Sequence, residues 1–178
     1  MNKPSLVILS SNDCWQLRSL TGAIADNKLE AYIKAVIFDT SDAFGLVRAK
    51  RLDVHFEILE RALSSSIENY NETLLEHIEQ YSPQLIVLAD FNTPLTPTFL
   101  QQFQNKIIQL NTTLEDSKTL EHSVSVQWIN QGANSEKMIA QEFVLASTKD
   151  TLESLEDKLH HVGYRLYPKV IQQLLKKN

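Results

Sequence analysis

Two amide side chains near the middle of the chain are the first residues whose types and spacing bear on chemistry. Gln109 and Asn111 stand two residues apart at the end of a short apolar run, Lys106–Leu110. The run has the pattern of an inner strand, and ligands of open α/β folds bind at the ends of such strands. An amide can donate a hydrogen bond to a developing oxyanion, but it does not exchange a proton near neutral pH. The pair could therefore polarise a carbonyl without serving as its acid or base.

The elements that must position these amides follow a strand–helix alternation. Continuous apolar runs predict buried strands, and apolar residues at helical spacing separate them, which is typical of a mainly parallel α/β sheet. Ser11, Asn12 or Asp13 is predicted to cap the first helix, and Asp39–Asp42 the second. Pro97 suits the first turn of a helix. The predicted strands are Ser5–Ser10, Ala35–Phe38, Val54–Leu59, Leu85–Ala89 and Lys106–Leu110.

The C-terminal third of the chain predicts a different arrangement. Ser123–Ile129 alternates apolar and polar residues, and Lys137–Leu145 pairs with it across a turn at Asn130–Asn134 as an antiparallel hairpin. Thr151–Leu175 carries its apolar residues on one stripe and predicts a long amphipathic helix, which Pro168 would kink. The predicted fold class is a Rossmann-like α/β sheet of mainly parallel strands, with a C-terminal hairpin and a long C-terminal helix.

Composition narrows the classes of function. The 178 residues, 43% hydrophobic and 22% charged, predict one globular domain over residues 1–178. A net charge of −5 argues against binding of nucleic acid or of an anionic membrane through overall charge. The single cysteine, Cys14, excludes an internal disulfide, and no Cys/His grouping has zinc-ligand spacing, so we expect a cytoplasmic protein without a metal. The apolar run after Ser5 is too short for a signal peptide or a membrane span.

Five strings together resemble the glycinamide ribonucleotide transformylase family, whose members move a formyl group from 10-formyltetrahydrofolate to an amine. Their order and spacing are similar to those of the family, and they extend over most of the chain. The resemblance implies the family's formyltransferase-type α/β fold, in agreement with the pattern of strands and helices. The strings are Ser41–Ala49, Tyr81–Ala89 with Phe91, Leu95–Phe99, Ser125–Val126 and Tyr167–Ile171.

The resemblance also marks the positions of the family's catalytic residues. The family's asparagine and histidine, in Asn-x-His-Pro-Ser, correspond to Gln109 and Asn111, and its aspartate corresponds to Asn134. Formyl transfer needs an oxyanion stabiliser and a proton acceptor for the attacking amine. The two amides could supply the first, whereas an amide at Asn134 is no base. The three positions therefore predict loss of normal catalysis.

The family's phosphate-binding turn, Gly-x-Gly-Ser-Asn, has changed as well. It corresponds to five residues that keep the family type only at Asn12, and even Asn12 is interpreted as a cap or turn residue. Asp13 brings negative charge to the place where a phosphate would bind. Trp15 and Cys14 are interpreted as packing residues, although Trp15 could instead plug the turn. The five residues are Ser11, Asn12, Asp13, Cys14 and Trp15.

The folate cleft of the family corresponds to the residues around the end of the Leu85–Ala89 strand. Asp90 replaces a family glycine there, and it could either hydrogen-bond a pterin-like ring or cap the helix that begins at Pro97. A folate such as 10-formyltetrahydrofolate is the cofactor that the resemblance implies. The cleft positions are Leu88, Asp90, Phe91, Asn92 and Leu95.

Three functions follow from these observations. The favoured hypothesis is a catalytically degenerate relative, a pseudoenzyme, that binds a small-molecule ligand or acts as a regulatory protein. The second is an enzyme that keeps a folate and uses a relocated acid or base. The candidate for that role is His122, in the polar connector between two strands. The alternative is that His122 is a solvated loop histidine. The third is a structural or interaction protein, such as a homodimer with exposed apolar surface.

Overall fold

A seven-stranded sheet forms the centre of the protein in a computed structural model that describes residues 3–113, 121–132, 136–147 and 150–176. Its strands are β1 (Ser5–Ser10), β2 (Tyr32–Phe38), β3 (Phe56–Ile58), β4 (Leu85–Leu88), β5 (Ile107–Thr113), β6 (Glu121–Ile129) and β7 (Glu136–Leu145). Their spatial order is β3-β2-β1-β4-β5-β6-β7. The first five strands run parallel, and β6 and β7 are antiparallel to their neighbours. The predicted parallel sheet with a C-terminal hairpin is therefore confirmed.

Helices cover both faces of the sheet. They are α1 (Gln16–Ala25), α2 (Gly45–Arg51), α3 (Ile67–Tyr81), α4 (Pro97–Gln102) and α5 (Leu152–Leu175), with one 3₁₀ turn at Arg61–Leu63. All residues of β1 and β4 are buried, and alternate residues of each strand point to opposite layers, as the two-residue period of a strand requires. Leu6 and Ile8 join a core with α1 and α5, whereas Val7 and Leu9 join a second core with α3 and α4.

The C-terminal helix α5 confirms the predicted amphipathic helix, and it continues through Pro168. A proline has no N–H to donate to the carbonyl four residues earlier, which here belongs to Tyr164. Ser19 of α1 donates its hydroxyl to that carbonyl at 2.6 Å. The hydroxyl of Tyr167, also on α5, donates to the carbonyls of Leu88 and Ile108 at 3.4 and 3.2 Å. The helix is thus bonded to α1 and to the two central strands β4 and β5.

Several sequence-based boundaries and caps are wrong. Strand β5 extends to Thr113 rather than ending at Leu110, because it pairs with β6 along its whole C-terminal half. The residue that precedes α1 is Trp15, and the one that precedes α2 is Phe44; neither helix has a side-chain cap. By contrast, Thr96 accepts a bond from the Phe99 N–H and places Pro97 in the first turn of α4, as predicted.

No helix within the described part of the chain is long and apolar enough to cross a membrane.

Candidate functional site

The carboxyl ends of β1, β2 and β4 meet at one edge of the sheet, where a buried carboxylate connects them. Asp39, just after β2, accepts bonds from the hydroxyls of Ser11 at 2.7 Å and Thr93 at 2.5 Å. The Ser11 hydroxyl also accepts from the Asn92 N–H at 2.7 Å. Hydrogen bonds to an ionised acceptor are short and strong, so this network holds the loops after β1 and β4 against each other. The prediction that Asp39 caps α2 is wrong because its carboxylate is used here.

The Ser11–Trp15 turn after β1 is held by an internal ion pair. Arg48 of α2 donates through Nη2 to both carboxylate oxygens of Asp13, at 2.7 and 2.8 Å, and through Nε to the Asp13 carbonyl at 3.1 Å. This guanidinium–carboxylate contact places a negative group of the chain itself in the turn. Asp13 is thus engaged by Arg48, and the prediction that it caps α1 is wrong.

Tight packing of α2 on the same turn leaves no room beside it. The Gly45 N–H donates to the Asn12 carbonyl at 2.9 Å. A Cβ at Gly45 would lie 2.8 Å from that oxygen and 2.9 Å from the Cβ of Cys14. Cys14 is fully buried with a φ of 50°, and burial raises the pKa of its thiol to about 12. Cys14 is consequently a neutral packing group at physiological pH.

Trp15 lies against α5. Its ring centroid is 4.6 Å from that of His160 and 5.4 Å from that of Tyr164. A Cβ at Gly163 would come within 2.7 Å of the Trp15 ring, so this glycine makes the close approach of the ring possible. The large side chain of Trp15 is thereby accommodated by α5.

Asp90 occupies the loop directly after β4 with a φ of 55°. Gln16, which is buried, donates its Nε2 to Asp90 Oδ1 at 3.5 Å, and its own Oε1 has no partner among the described residues. Removal from solvent raises the pKa of the Asp90 carboxyl; the Asp13 charge adds to this, while Gln16 and His160 oppose it. Taken as a whole residue, Asp90 is exposed. Because Thr96 caps α4, the capping alternative for Asp90 is wrong.

The amide side chains of Gln109 and Asn111 share one face of β5. Gln109 and Asn111 are half-buried, and their strand partners on β6 are Gln127 and Ser125. On the next strand, Gln141 donates to the hydroxyl of Ser123 at 3.0 Å. These residues form a strip of neutral amides and hydroxyls across the three strands. Such a strip can donate hydrogen bonds to a carbonyl or an oxyanion, but none of these side chains can carry a proton to or from a substrate at neutral pH.

His122 lies in β6 and is buried, so the prediction of a solvated connector residue is wrong. His122 pairs with Val144 and lies on the same face of the sheet as Val124. Val124 and Val144 both belong to the core under α5. The His122 Nδ1 has no hydrogen-bond partner within the described chain. Gln109 and Asn111 point to the opposite face, so the sheet separates His122 from them.

The remaining predicted positions are distributed unevenly. Leu88, Phe91 and Leu95 of the predicted folate cleft pack into the core under α3 and α4. Asn92 is exposed, and its backbone bonds to Ser11. Asn134 lies outside the described residues. Among the residues that the structure describes, no three His, Cys, Asp or Glu side chains are grouped so as to hold a metal ion.

Sequence reasoning missed three members of this edge: Arg48, Gln16 and Thr93. Each acts on a residue that is distant in sequence, and spacing along one element carries no signal for such pairs. A signal did exist for Asp39 and Ser11, because both directly follow predicted parallel strands, and the ends of such strands share an edge.

Comparison with known proteins agrees with this architecture. The sequence pattern described as formyl transferase matches residues 5–171. The phosphoribosylglycinamide formyltransferases of Escherichia coli and Haemophilus influenzae are 24% and 26% identical over 180 residues, which cover 94% of this chain and 85% of each relative. The solved structure of the Coxiella burnetii phosphoribosylglycinamide formyltransferase is 27% identical with a TM-score of 0.90, and the match covers 99% of this chain and 89% of the other. The chain belongs to the formyl transferase family.

Proposed function

We propose that this chain is a formyl transferase-family protein that binds a small-molecule ligand in the cleft at the carboxyl edge of its sheet without ordinary formyl transfer. The observation that supports this proposal is the strip of neutral side chains around Gln109 and Asn111. We align these two residues with the family's catalytic asparagine and histidine. A general base contributes about 10²–10⁴ to the rate of such a transfer, and no member of the strip supplies one. The amides remain suited to hold a carbonyl oxygen of a bound ligand.

The phosphate turn supports the same proposal. Transfer to a ribonucleotide amine needs the phosphate to be held close to the backbone of the turn. Here the Asp13 carboxylate lies in that turn and is bonded to Arg48 at 2.7 Å. A phosphate would meet a like charge and a cation that is already engaged. The ligand proposed here is therefore a folate-like molecule rather than a phosphorylated amine.

Asp90 is the residue we propose as the polar contact of that ligand. An ionised carboxyl with a raised pKa destabilises the folded state above its ordinary pKa of 3.8. A group retained at such a cost, at a cleft, is a candidate for ligand contact. Its carboxyl would accept hydrogen bonds from the ring N–H groups of a pterin.

The activity test mixes the purified protein with 10-formyltetrahydrofolate and glycinamide ribonucleotide and follows release of tetrahydrofolate. The Escherichia coli relative serves as positive control. We expect a rate lower by at least about 10²–10⁴ than that of the control, the range for loss of a general base. Turnover comparable to the control would overturn the proposal. Turnover that is abolished by His122→Ala but kept by His161→Ala, a surface histidine, would instead establish a relocated acid or base.

The binding test is a thermal shift with 5-formyltetrahydrofolate, since a ligand of the native state raises its melting temperature. We expect a shift that Asp90→Ala reduces and that Asp42→Ala, which removes an exposed carboxylate elsewhere, leaves unchanged. No shift with any reduced folate would contradict the binding part of the proposal, whatever the activity assay gives.

Self-association is a second candidate role, and one observation favours it. The edge strand β7 exposes three large apolar side chains, Met138, Phe143 and Leu145. An unpaired edge with apolar side chains can pair with the same strand of a second copy. Light scattering at increasing concentration should then show a dimer that Phe143→Glu dissociates. A monomer at all concentrations would remove this candidate.

A further inference from the structure

A groove of about 620 Å³ lies between α1 and α5. Its floor is formed by Gly22 and Ala23 of α1 and by Tyr164 and Pro168 of α5. Two hydrogen bonds join α5 to α1 and to the loop that follows α1. Ser19 of α1 donates to the Tyr164 carbonyl at 2.6 Å, and the N–H of Glu30, in that loop, donates to the Gln172 side chain at 2.6 Å. The groove is therefore a fixed feature of the fold.

The rim of the groove is cationic although the protein is acidic. Five of the lining side chains are positively charged, and Asp26 is the only carboxylate among them. Asp26 pairs with Lys28 at 2.8 Å, and Arg165 pairs with Glu142 at 2.9 Å. The other three have no ion-pair partner among the residues that the structure describes. These three are Arg18, Lys169 and Lys176.

Gly22 is placed where a side chain would partly fill the groove. It lies in the middle of α1 and is exposed, and a Cβ added to it would meet nothing within 4 Å. A glycine inside a helix destabilises it by about 0.5–1 kcal/mol relative to alanine. No contact of Gly22 within the described chain requires a glycine at this position. Its effect is to leave the floor open for a close approach from outside.

The length of the groove matches a helix. On α5 the lining residues run from Tyr164 to Lys176, which at about 1.5 Å per residue is about 18 Å. The side chains Arg165, Lys169 and Lys176 follow each other at helical spacing along this length. A helix of about three turns would lay one face on the floor while its flanks meet the cations.

From these features we propose that the groove between α1 and α5 binds an acidic amphipathic helix of a partner protein. Small or apolar residues of the partner contact Gly22, Ala23 and Pro168. Its carboxylates pair with Arg18, Lys169 and Lys176. The charge complementarity makes association fast and sensitive to salt. Binding of the partner helix does not require the small-molecule ligand of the proposed function.

The test uses fluorescence anisotropy with the full chain and a labelled helical peptide of about 15 residues, built from Glu, Ala and Leu with the leucines on one face. A peptide with Lys in place of Glu is its matched control. We expect saturable binding of the acidic peptide and none of the lysine peptide. Lys169→Glu should weaken the binding about tenfold. Gly22→Trp, whose side chain fills the floor of the groove, should abolish it. Lys50→Glu makes the same charge change on α2, outside the groove, and should leave binding unchanged. Thermal melts confirm that each variant is folded.

Other outcomes overturn the proposal. Equal binding by the Gly22→Trp variant, or none by the native chain, shows that the groove is not a helix site. Self-association that Gly22→Trp abolishes while Phe143→Glu does not shows that a second copy occupies it. Binding to phosphatidylserine vesicles but not to the peptide shows a membrane surface as the true partner, although a flat bilayer would not reach the floor of a groove.

Discussion

Cys14 illustrates how burial decides the chemistry of a single residue. The thiol lies in the turn after β1, close to the cleft, where a reactive thiol would be a candidate nucleophile. Its pKa, raised by burial to about 12, leaves almost no thiolate at neutral pH. The residue therefore belongs to the packing of the turn and not to the chemistry of the edge.

We predict that Cys14 resists labelling. Reaction with a disulfide reagent at pH 8 should be at least about a hundredfold slower in the native protein than in urea, because both the thiolate and access are lacking. The measurement is the absorbance of the released thiol chromophore. Labelling of native protein as fast as that of unfolded protein would contradict the buried position.

At the scale of elements, one hydroxyl of α1 completes the backbone hydrogen bonding of α5. Pro168 frees the Tyr164 carbonyl, and Ser19 satisfies it. Ser19→Ala leaves that carbonyl without a donor, and we predict a loss of about 1–3 kcal/mol in the free energy of unfolding, the range for an unsatisfied buried polar group. Urea unfolding measures it.

A double-mutant cycle separates this bond from simple loss of a hydroxyl. Pro168→Ala restores an N–H that can bond Tyr164 within α5, so Ser19→Ala should cost less in that background than in the native chain. Equal costs in both backgrounds would show that the Ser19 hydroxyl does not compensate for the proline.

Three helical glycines provide a second prediction at the same scale. Gly22→Ala meets nothing within 4 Å and should stabilise the protein by about 0.5–1 kcal/mol through helix propensity. Gly45→Ala places a Cβ 2.6 Å from the Phe38 ring and should destabilise the folded protein by about 1–3 kcal/mol. Gly163→Ala must displace the Trp15 ring and should change the tryptophan fluorescence. Opposite signs for Gly22 and Gly45 in urea unfolding are the critical result.

The elements also show where sequence reasoning succeeds and where it stops. Buried parallel strands such as Leu85–Leu88 are predictable, because a short continuous apolar run has few other solutions. Helix caps are less predictable, because a side chain such as Asp39 can bond to a cap or to another loop, and only the tertiary structure decides. His122 was misplaced because the polar residues before it conceal the start of β6.

For the whole molecule, the titrating groups predict a stability that declines toward both extremes of pH. Burial raises the pKa of Cys14 to about 12 from 9.0 and that of the Tyr167 hydroxyl well above 10.0. The folded state therefore holds these protons more tightly than the unfolded state. Their stabilising effect is complete below about pH 9 and is lost as the pH rises above it.

The predicted loss of stability at low pH depends on Asp150, which lies next to the start of α5. Its hydrogen bond from Lys158 lowers the pKa of the carboxyl to about 2, and bonds from the Ser147 N–H and the Ser154 hydroxyl act in the same direction. Its stabilising effect is present above the ordinary value of 3.8 and is lost as the pH falls toward 2. Its partner Lys158 is partly exposed, so solvent screens the pair and the effect is small and sensitive to salt.

Both the acid and the alkaline loss of stability can be measured as the midpoint of urea unfolding from pH 3 to pH 11. We expect a plateau between about pH 5 and 9 and a decline on either side. Tyr167→Phe should flatten the alkaline decline, while Asp150→Asn should flatten the acid one. A midpoint that stays constant up to pH 11 would be incompatible with the buried thiol and phenol.

The Asp13–Arg48 pair has a further consequence for any anion in the surrounding solution. Asp13 is tethered to the same chain as Arg48, so it competes for the guanidinium as an intramolecular rival, with an effective concentration of about millimolar or more. A free metabolite at lower concentration must displace this resident carboxylate before it can reach the cation. The Arg48 guanidinium is in this sense kept occupied by its own chain, and a dilute anion leaves the Asp13–Arg48 pair largely intact.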